Sequence, residues 1–115
     1  MIKRKFKTWN GASEFEYNGT VETGTLIVFG SSRSEKKVSV DSYKQLLTEF
    51  SGKTVDCGTS RTAPPRGSLG KWLQEKVTKT ALASYVGPVL VDEGYARKLE
   101  SKIGFLKTPL KKLSR

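Results

Sequence analysis

The sequence contains no histidine and a single cysteine, Cys57. Without histidine the chain cannot build a Ser-His-Asp triad or a Cys-His pair, and it lacks the commonest general base at neutral pH. It also lacks the residue that most zinc and copper sites use. With no histidine to activate its thiol, Cys57 is expected to be a small buried or half-buried residue. The sequence therefore predicts a non-enzymatic protein without a metal or a cofactor.

Long apolar runs are also missing. The N-terminal residues MIKRKFKTWNG begin with charge, but no apolar stretch follows them, so a secretory signal is not predicted. No segment has the length of a membrane span. Because a lone cysteine is typical of reducing compartments, we expect a cytoplasmic protein. A length of 115 residues predicts one domain with an ordinary core.

The formal net charge of +10 is distributed unevenly along the chain. Residues 1–7 and 97–115 carry the whole excess, whereas bases and acids balance over 8–96. Basic ends favour binding to a polyanion, because each Lys or Arg that neutralises a phosphate releases counterions. The alternative is that they only keep the protein soluble. The candidate phosphate-binding residues are the basic residues of both ends and two loop arginines: Lys3, Arg4, Lys5, Lys7, Arg61, Arg66, Arg97, Lys98, Lys102, Lys107, Lys111 and Lys112.

Residues 6–40 show the signals of β-strands. Phe6 and Trp9 are assigned to a basic first strand, and the apolar run 25–29 to a buried strand. Asn18-Gly19 is the preferred pair for a type I′ turn, which predicts a hairpin of 14–17 with 20–23. A return strand is expected over 37–40. Together these segments predict a meander of three to five antiparallel strands.

The next segment predicts a helix over 43–50, since its apolar residues recur at i, i+3, i+4 and i+7. Ser39 or Asp41 is available as its N-cap. This helix is expected to cover one face of the meander, which would otherwise have nothing to pack on. A further short strand is predicted over 53–56.

Residues 57–67 form a long irregular segment. Its Gly, Ser and Thr residues beside Arg61 and Arg66 are suited to binding a phosphate, partly through backbone N–H groups. The segment has neither the phosphate-loop pattern nor the dinucleotide-binding pattern, and Pro64-Pro65 favours an extended connector. Two interpretations therefore stand: a loop that contacts phosphate, or a connector whose arginines are solvated.

Two amphipathic segments and a hairpin-like segment are predicted over 68–106. Four apolar residues share one face of the first helix, with Ser68 as its cap: Leu69, Trp72, Leu73 and Val77. A second apolar stripe runs from Leu82 to Leu90. Pro88 predicts a stop at Gly87 and a restart, because a proline removes a helical hydrogen bond. Gly94 should end the helical region, and 95–106 should form a small hairpin.

This helix, turn, helix and basic hairpin resemble the winged helix-turn-helix DNA-binding domains. The resemblance implies that the second helix lies in the major groove and that the hairpin is the wing. The outward positions of that helix are Thr80, Ala83, Ser84, Gly87, Val91 and Asp92, and none is an Arg, Lys, Asn or Gln of the kind that usually recognises base edges. Base-specific reading is therefore not predicted. In the alternative interpretation, residues 69–90 are only the helical core of a small α+β domain.

The sequence thus predicts an α+β protein: a small antiparallel meander with one covering helix, then a helix pair and a short winged-helix-like hairpin. It is divided into residues 1–56 (meander and helix), 57–67 (loop), 68–106 (helix pair and hairpin) and 107–115 (basic tail). The predicted function is nucleic-acid binding through phosphates, with duplex DNA slightly favoured over RNA. Trp9 and the meander aromatics are candidates for stacking on unpaired bases, and the adjacent Asp92 and Glu93 are expected to be solvated. The alternative function is a protein interaction module, a subunit or inhibitor of a larger complex, with an acidic partner.

Overall fold

The computed structural model describes residues 4–60 and 62–106, and of Arg4 only the backbone. In this part of the chain, two antiparallel sheets and three helices form an α+β fold. The meander is β1 (Arg4–Lys7), β2 (Glu14–Thr20), β3 (Gly24–Phe29) and β4 (Ser34–Val38) in that spatial order. It is followed by α1 (Val40–Phe50), β5 (Thr54–Asp56), α2 (Leu69–Lys76), α3 (Ala83–Asp92), β6 (Ala96–Leu99) and β7 (Lys102–Phe105). Strand β7 lies between β5 and β6 in the second sheet. The predicted meander, helix, helix pair and hairpin are confirmed.

The helix ends follow their local chemistry. The Ser39 side chain accepts a hydrogen bond from the N–H of Ser42 at 3.1 Å and caps α1, which begins three residues before the predicted start. Ser68 caps α2 in the same way, accepting from the N–H of Lys71 at 3.1 Å. Gly94 follows α3 with a φ of 86°, the left-handed conformation expected after a helix. The two serine caps and the end at Gly94 agree with the prediction, whereas the start of α1 does not.

The predicted turn at Asn18-Gly19 is wrong. Both residues lie inside β2, where Asn18 is opposite Leu26 and Gly19 is opposite Thr25. The chain reverses later, between Thr20 and Gly24. The backbone N–H of Val21 donates to a carboxylate oxygen of Glu93 at 2.8 Å, and its side chain is buried. This contact with a distant helix end, together with the hydrogen bonds between Thr20 and Thr23 that close the turn, accompanies a reversal beyond Asn18-Gly19 and outweighs the turn preference of that pair.

Strand boundaries also differ from the prediction. Trp9 lies outside β1, because its backbone N–H donates to the carbonyl of Ser84 at 3.0 Å and the chain leaves the sheet at that point. The return strand β4 runs over Ser34–Val38 instead of 37–40: it starts three residues earlier, and it ends at Val38 since the Ser39 cap makes Val40 the first residue of α1.

Helix α3 continues through Pro88 without the predicted break at Gly87. A proline at this position cannot donate to the carbonyl of Ser84, four residues earlier. That carbonyl instead accepts the hydrogen bond from the N–H of Trp9. The missing donor is thus replaced by one from the segment after β1, which removes much of the cost of proline inside a helix.

Helix α3 lies at the centre of the packing. The Tyr85 ring stacks on Phe29 with centroids 4.6 Å apart and meets Phe15 edge-on at 5.3 Å. On another side α3 packs against β6 and α2. Helix α1 also covers the meander as predicted, and the Tyr43 and Thr25 hydroxyls are hydrogen-bonded at 2.8 Å. None of the described helices has the length and apolar character needed to cross a membrane.

Candidate functional site

The segment after β1 is bound to the β6–β7 hairpin through Trp9. The indole Nε1 donates to the carbonyl of Glu100 at 3.1 Å. The Lys98 ammonium donates to the carbonyl of Trp9 and lies 5.0 Å from the centre of its ring. Trp9 itself is only 2% exposed. The suggestion that Trp9 stacks on a base is therefore wrong, because its ring is enclosed by the protein.

A groove of about 370 Å³ opens beside this contact, between the β1 end and the C-terminal half of α3. The apolar residues that line it are Phe6, Trp9, Pro88 and Val91, and the charged ones are Lys7, Lys98 and Asp92. Lys7 and Lys98 belong to the two basic ends of the sequence. The fold thus brings one cation from each end to a shared groove, which we call the Lys7–Lys98 groove.

Lys5, which also belongs to β1, does not line this groove. It is exposed on the outer face of the meander, opposite Glu16 in the register. Glu16 in turn forms an ion pair with Arg33 at 2.9 Å. This face therefore carries charges of both signs, and the negative charge of Glu16 weakens the attraction of Lys5 for an anion.

The hairpin divides its cations between two faces, since successive side chains of a strand point to opposite sides. Lys98 points towards the Trp9 side, while Arg97 and Lys102 lie on the outer face and are exposed. The Lys102 ammonium pairs with Asp56 at 3.1 Å. Leu99 shares this outer face and is 48% exposed. The outer face is thus a second basic surface, separate from the groove.

Of the remaining predicted site residues, Arg66 is the one whose side chain the structure describes. Arg66 is exposed in the loop before α2. Arg4 belongs to β1 with no description of its side chain, and the other five lie outside the described residues: Lys3, Arg61, Lys107, Lys111 and Lys112.

The loop before α2 packs closely against the start of that helix. The N–H of Gly70 donates to the carbonyl of Cys57 at 2.9 Å, and a Cβ on Gly70 would lie 1.8 Å from the carbonyl oxygen of Gly58. Cys57 is 1% exposed, and burial raises the pKa of its thiol to about 12, against a smaller opposing effect of the Lys98 charge. The expected small buried cysteine is confirmed, and a thiol with this pKa is a poor nucleophile at neutral pH.

Most of α3 is buried or half-buried. Of its ten residues, all of them described, only Asp92 is exposed. Ala83 and Gly87, which the sequence places on the outward face, are buried; a Cβ on Gly87 would lie 2.6 Å from the Trp9 ring. A helix with this burial presents little surface to a DNA groove.

The expectation that Asp92 and Glu93 are both solvated is wrong for Glu93. Its carboxylate is half-buried and accepts from the Tyr17 hydroxyl at 2.8 Å and from the N–H of Val21 at 2.8 Å. Asp92 also accepts from the Tyr17 hydroxyl, at 3.3 Å, so both carboxylates meet at one donor. The pair joins the end of α3 to the meander. Within the described ranges no three Cys, Asp or Glu side chains come together as a metal site would need.

Sequence reasoning missed the apolar part of the groove. Phe6 is assigned to a strand and Val91 to a helix face, and no local pattern indicates that the two face each other. One signal was available: Pro88 leaves the Ser84 carbonyl without a helical donor, which implies a docking partner there.

Comparison with known proteins gives no family: no family model, no curated protein and no solved structure matches this chain.

Proposed function

We propose that this protein is a non-enzymatic nucleic-acid-binding protein of the cytoplasm that contacts phosphates through basic side chains from both ends of its chain. The observation that carries the proposal is the meeting of Lys7 and Lys98 at one groove. Two ammonium groups from distant parts of the sequence can neutralise phosphates of the same strand. Arg97 and Lys102, on the other face of the hairpin, extend the basic surface.

The winged helix-turn-helix resemblance supports this proposal only in part. The order of α2, α3 and the β6–β7 hairpin agrees with it. The burial of α3 argues against a reading helix in the major groove, because the meander and Trp9 occupy the space around it. We therefore propose binding that depends on the sugar-phosphate backbone, with little dependence on base-pair sequence in duplex DNA.

A second candidate function is a protein interaction module with an acidic partner. It is favoured by Leu99, which is 48% exposed between Arg97 and Lys102 on the outer face of the hairpin. An exposed leucine flanked by cations suits a partner with an apolar contact and an acidic rim. Such binding would lose less affinity with salt than phosphate binding does.

The test is fluorescence-anisotropy binding of the full chain to labelled duplex DNA, single-stranded DNA and RNA of equal length across a salt series. The charge variant is Lys7→Gln/Arg97→Gln. Its matched control is Lys44→Gln/Lys79→Gln, which removes the same charge from α1 and from the segment before α3. Lys79 precedes the N-terminal end of α3, a helix about 15 Å long, whereas Lys7 lines a groove near its C-terminal end.

We expect the wild type to show a steep log-linear loss of affinity with salt. The charge variant should have a slope smaller by about 1.4 for a single strand, about 0.7 for each lost phosphate contact. The control should keep the wild-type slope. The absence of binding to all three probes at low salt would refute the proposal and direct the search to a protein partner. An equal loss in the control would show that only the net charge matters.

A further inference from the structure

The Lys7–Lys98 groove has a surface that phosphate binding does not use. Most of this surface is apolar, and the apolar residues that line it are Phe6, Trp9, Pro88 and Val91. Phosphates need cations and N–H donors, whereas apolar side chains favour a ligand with an apolar body. The volume of about 370 Å³ lies in the lower range of small-molecule sites. The groove is therefore suited to a small ligand that is largely apolar.

The Lys98 ammonium has a defined position at this groove. It donates to the carbonyl of Trp9 and lies 5.0 Å from the centre of the Trp9 ring, and both residues line the groove. An ammonium carries three N–H donors, and the Trp9 carbonyl takes one. Among the described residues no other group accepts from it, so two donors remain for a ligand. A positive charge is thus held beside the apolar surface.

A carboxylate is the anionic group that suits this arrangement. It has two acceptor oxygens and one negative charge, so a single ammonium with two remaining donors can neutralise it. A phosphate monoester carries a larger charge, about −1.5 to −2 at pH 7. Asp92 lines the same groove, and its negative charge disfavours a second negative group beside it. The ligand should therefore be a monoanion whose charged end lies at Lys98.

We propose that the groove binds a small carboxylate with an apolar body, which packs against Phe6, Pro88 and Val91 while its carboxylate accepts from the Lys98 ammonium. This inference goes beyond nucleic-acid binding and does not depend on it. Trp9 lines the groove and also holds Lys98. A ligand in the groove should therefore change the environment of the Trp9 indole, which gives a direct readout of binding.

The experiment is a fluorescence titration of the full chain carrying Trp72→Phe. The chain has two tryptophans, so this substitution leaves Trp9 as the only one. The probes are 4-phenylbutyrate, its neutral amide 4-phenylbutyramide, and butyrate, which lacks the ring. The acid and the amide have the same shape and differ in charge, and the acid and butyrate differ in apolar surface. The three probes therefore test the cation and the apolar surface separately.

Three further substitutions are made in the same background. Lys98→Met removes the ammonium, and Val91→Phe narrows the groove without changing its charge. Lys44→Met on α1 removes the same charge from an exposed residue that does not line the groove, and is the matched control. Circular dichroism and thermal unfolding check the fold of each variant. The comparison of acid with amide also tests the role of Lys98 without any change at that residue.

We expect 4-phenylbutyrate to bind with a Kd on the order of 1 mM, in keeping with its size of about a dozen non-hydrogen atoms. The amide should bind about 10-fold more weakly, because hydrogen bonds between charged groups are the stronger ones. Butyrate should also bind about 10-fold more weakly, because it buries less apolar surface. Lys98→Met should bring the ratio of acid to amide near 1, Val91→Phe should weaken both, and Lys44→Met should change neither.

Equal affinities for acid and amide, or a ratio unaffected by Lys98→Met, would overturn the inference. The absence of any response of Trp9 to 4-phenylbutyrate would overturn it as well. None of these results would refute nucleic-acid binding, which is measured separately through its dependence on salt.

Discussion

Replacing Gly87 with alanine tests how closely the meander is docked on α3. A Cβ built on Gly87 would lie 2.6 Å from Cε3 of the Trp9 ring, 2.9 Å from Cζ3 and 3.2 Å from the sulfur of Cys57. Side-chain carbons do not approach an aromatic ring this closely, so the indole must move. Its movement would strain the Nε1 bond to Glu100 and the backbone bond to Ser84.

The expected magnitude combines opposing effects. Alanine is more favourable than glycine inside a helix by about 1 kcal/mol. Forcing an extra methyl group into a packed core costs about 1–3 kcal/mol, and each weakened hydrogen bond costs about 1 kcal/mol more. We expect Gly87→Ala to lower the free energy of unfolding by about 2–4 kcal/mol in spite of its better helix propensity.

Urea unfolding followed by far-ultraviolet circular dichroism measures this change without using tryptophan fluorescence as the probe. The double variant Trp9→Leu/Gly87→Ala completes a mutant cycle, since a smaller side chain at position 9 relieves the clash. The two substitutions should therefore be less destabilising together than their separate effects predict. A Gly87→Ala protein as stable as the wild type or more stable would refute the reasoning, because alanine would then fit without displacing Trp9.

Two further predictions concern buried polar groups. Glu93 accepts from the Tyr17 hydroxyl and the Val21 N–H, and Glu93→Gln turns one of its two oxygens into a donor, so it should lower the free energy of unfolding by about 1–3 kcal/mol. Asp92→Asn should lower it by less, since Asp92 makes the longer bond to Tyr17. Equal losses for the two variants in urea unfolding would contradict this prediction. Burial raises the pKa of Cys57 from 9.0 to about 12, so the unfolded chain loses this proton first and stability falls as pH rises above 9. Between pH 8 and 10 this contributes about 1.4 kcal/mol of lost stability, and urea unfolding of Cys57→Ala should show a decline smaller by that amount; identical declines would refute it.

Local chemistry made most of the fold predictable. The helix ends at Ser39, Ser68 and Gly94 depend on groups within a few residues, so their signals are complete in the sequence. The same holds for the amphipathic spacing of α1 and α2, which indicates their buried faces, whereas in α3 Ala83 and Gly87 are buried although the pattern places them outward. These features needed no knowledge of the distant parts of the chain.

The wrong predictions have a common cause, which is contacts between distant parts of the chain. Asn18-Gly19 has strong turn chemistry and Pro88 strong helix-breaking chemistry, yet neither acts as its local preference suggests. In each case a backbone group is satisfied from far along the chain: Val21 N–H by Glu93, and the Ser84 carbonyl by Trp9. A sequence read in local windows contains no record of these partners, and the groove is unpredictable for the same reason.

The docking of the meander also bears on the proposed function. The contact that lets α3 pass through Pro88 brings Trp9 against the helix, and Trp9 in turn holds Lys98 beside the groove. Trp9 thereby covers a part of α3 that a DNA-reading helix would expose, and a groove lined by basic residues from both ends of the chain lies beside it. If Trp9 positions Lys98 for binding, substitutions that loosen Trp9 should displace Lys98 and weaken nucleic-acid binding before they unfold the protein. Binding and stability should then separate in a mild variant such as Trp9→Phe, which keeps an aromatic ring but loses the bond to Glu100.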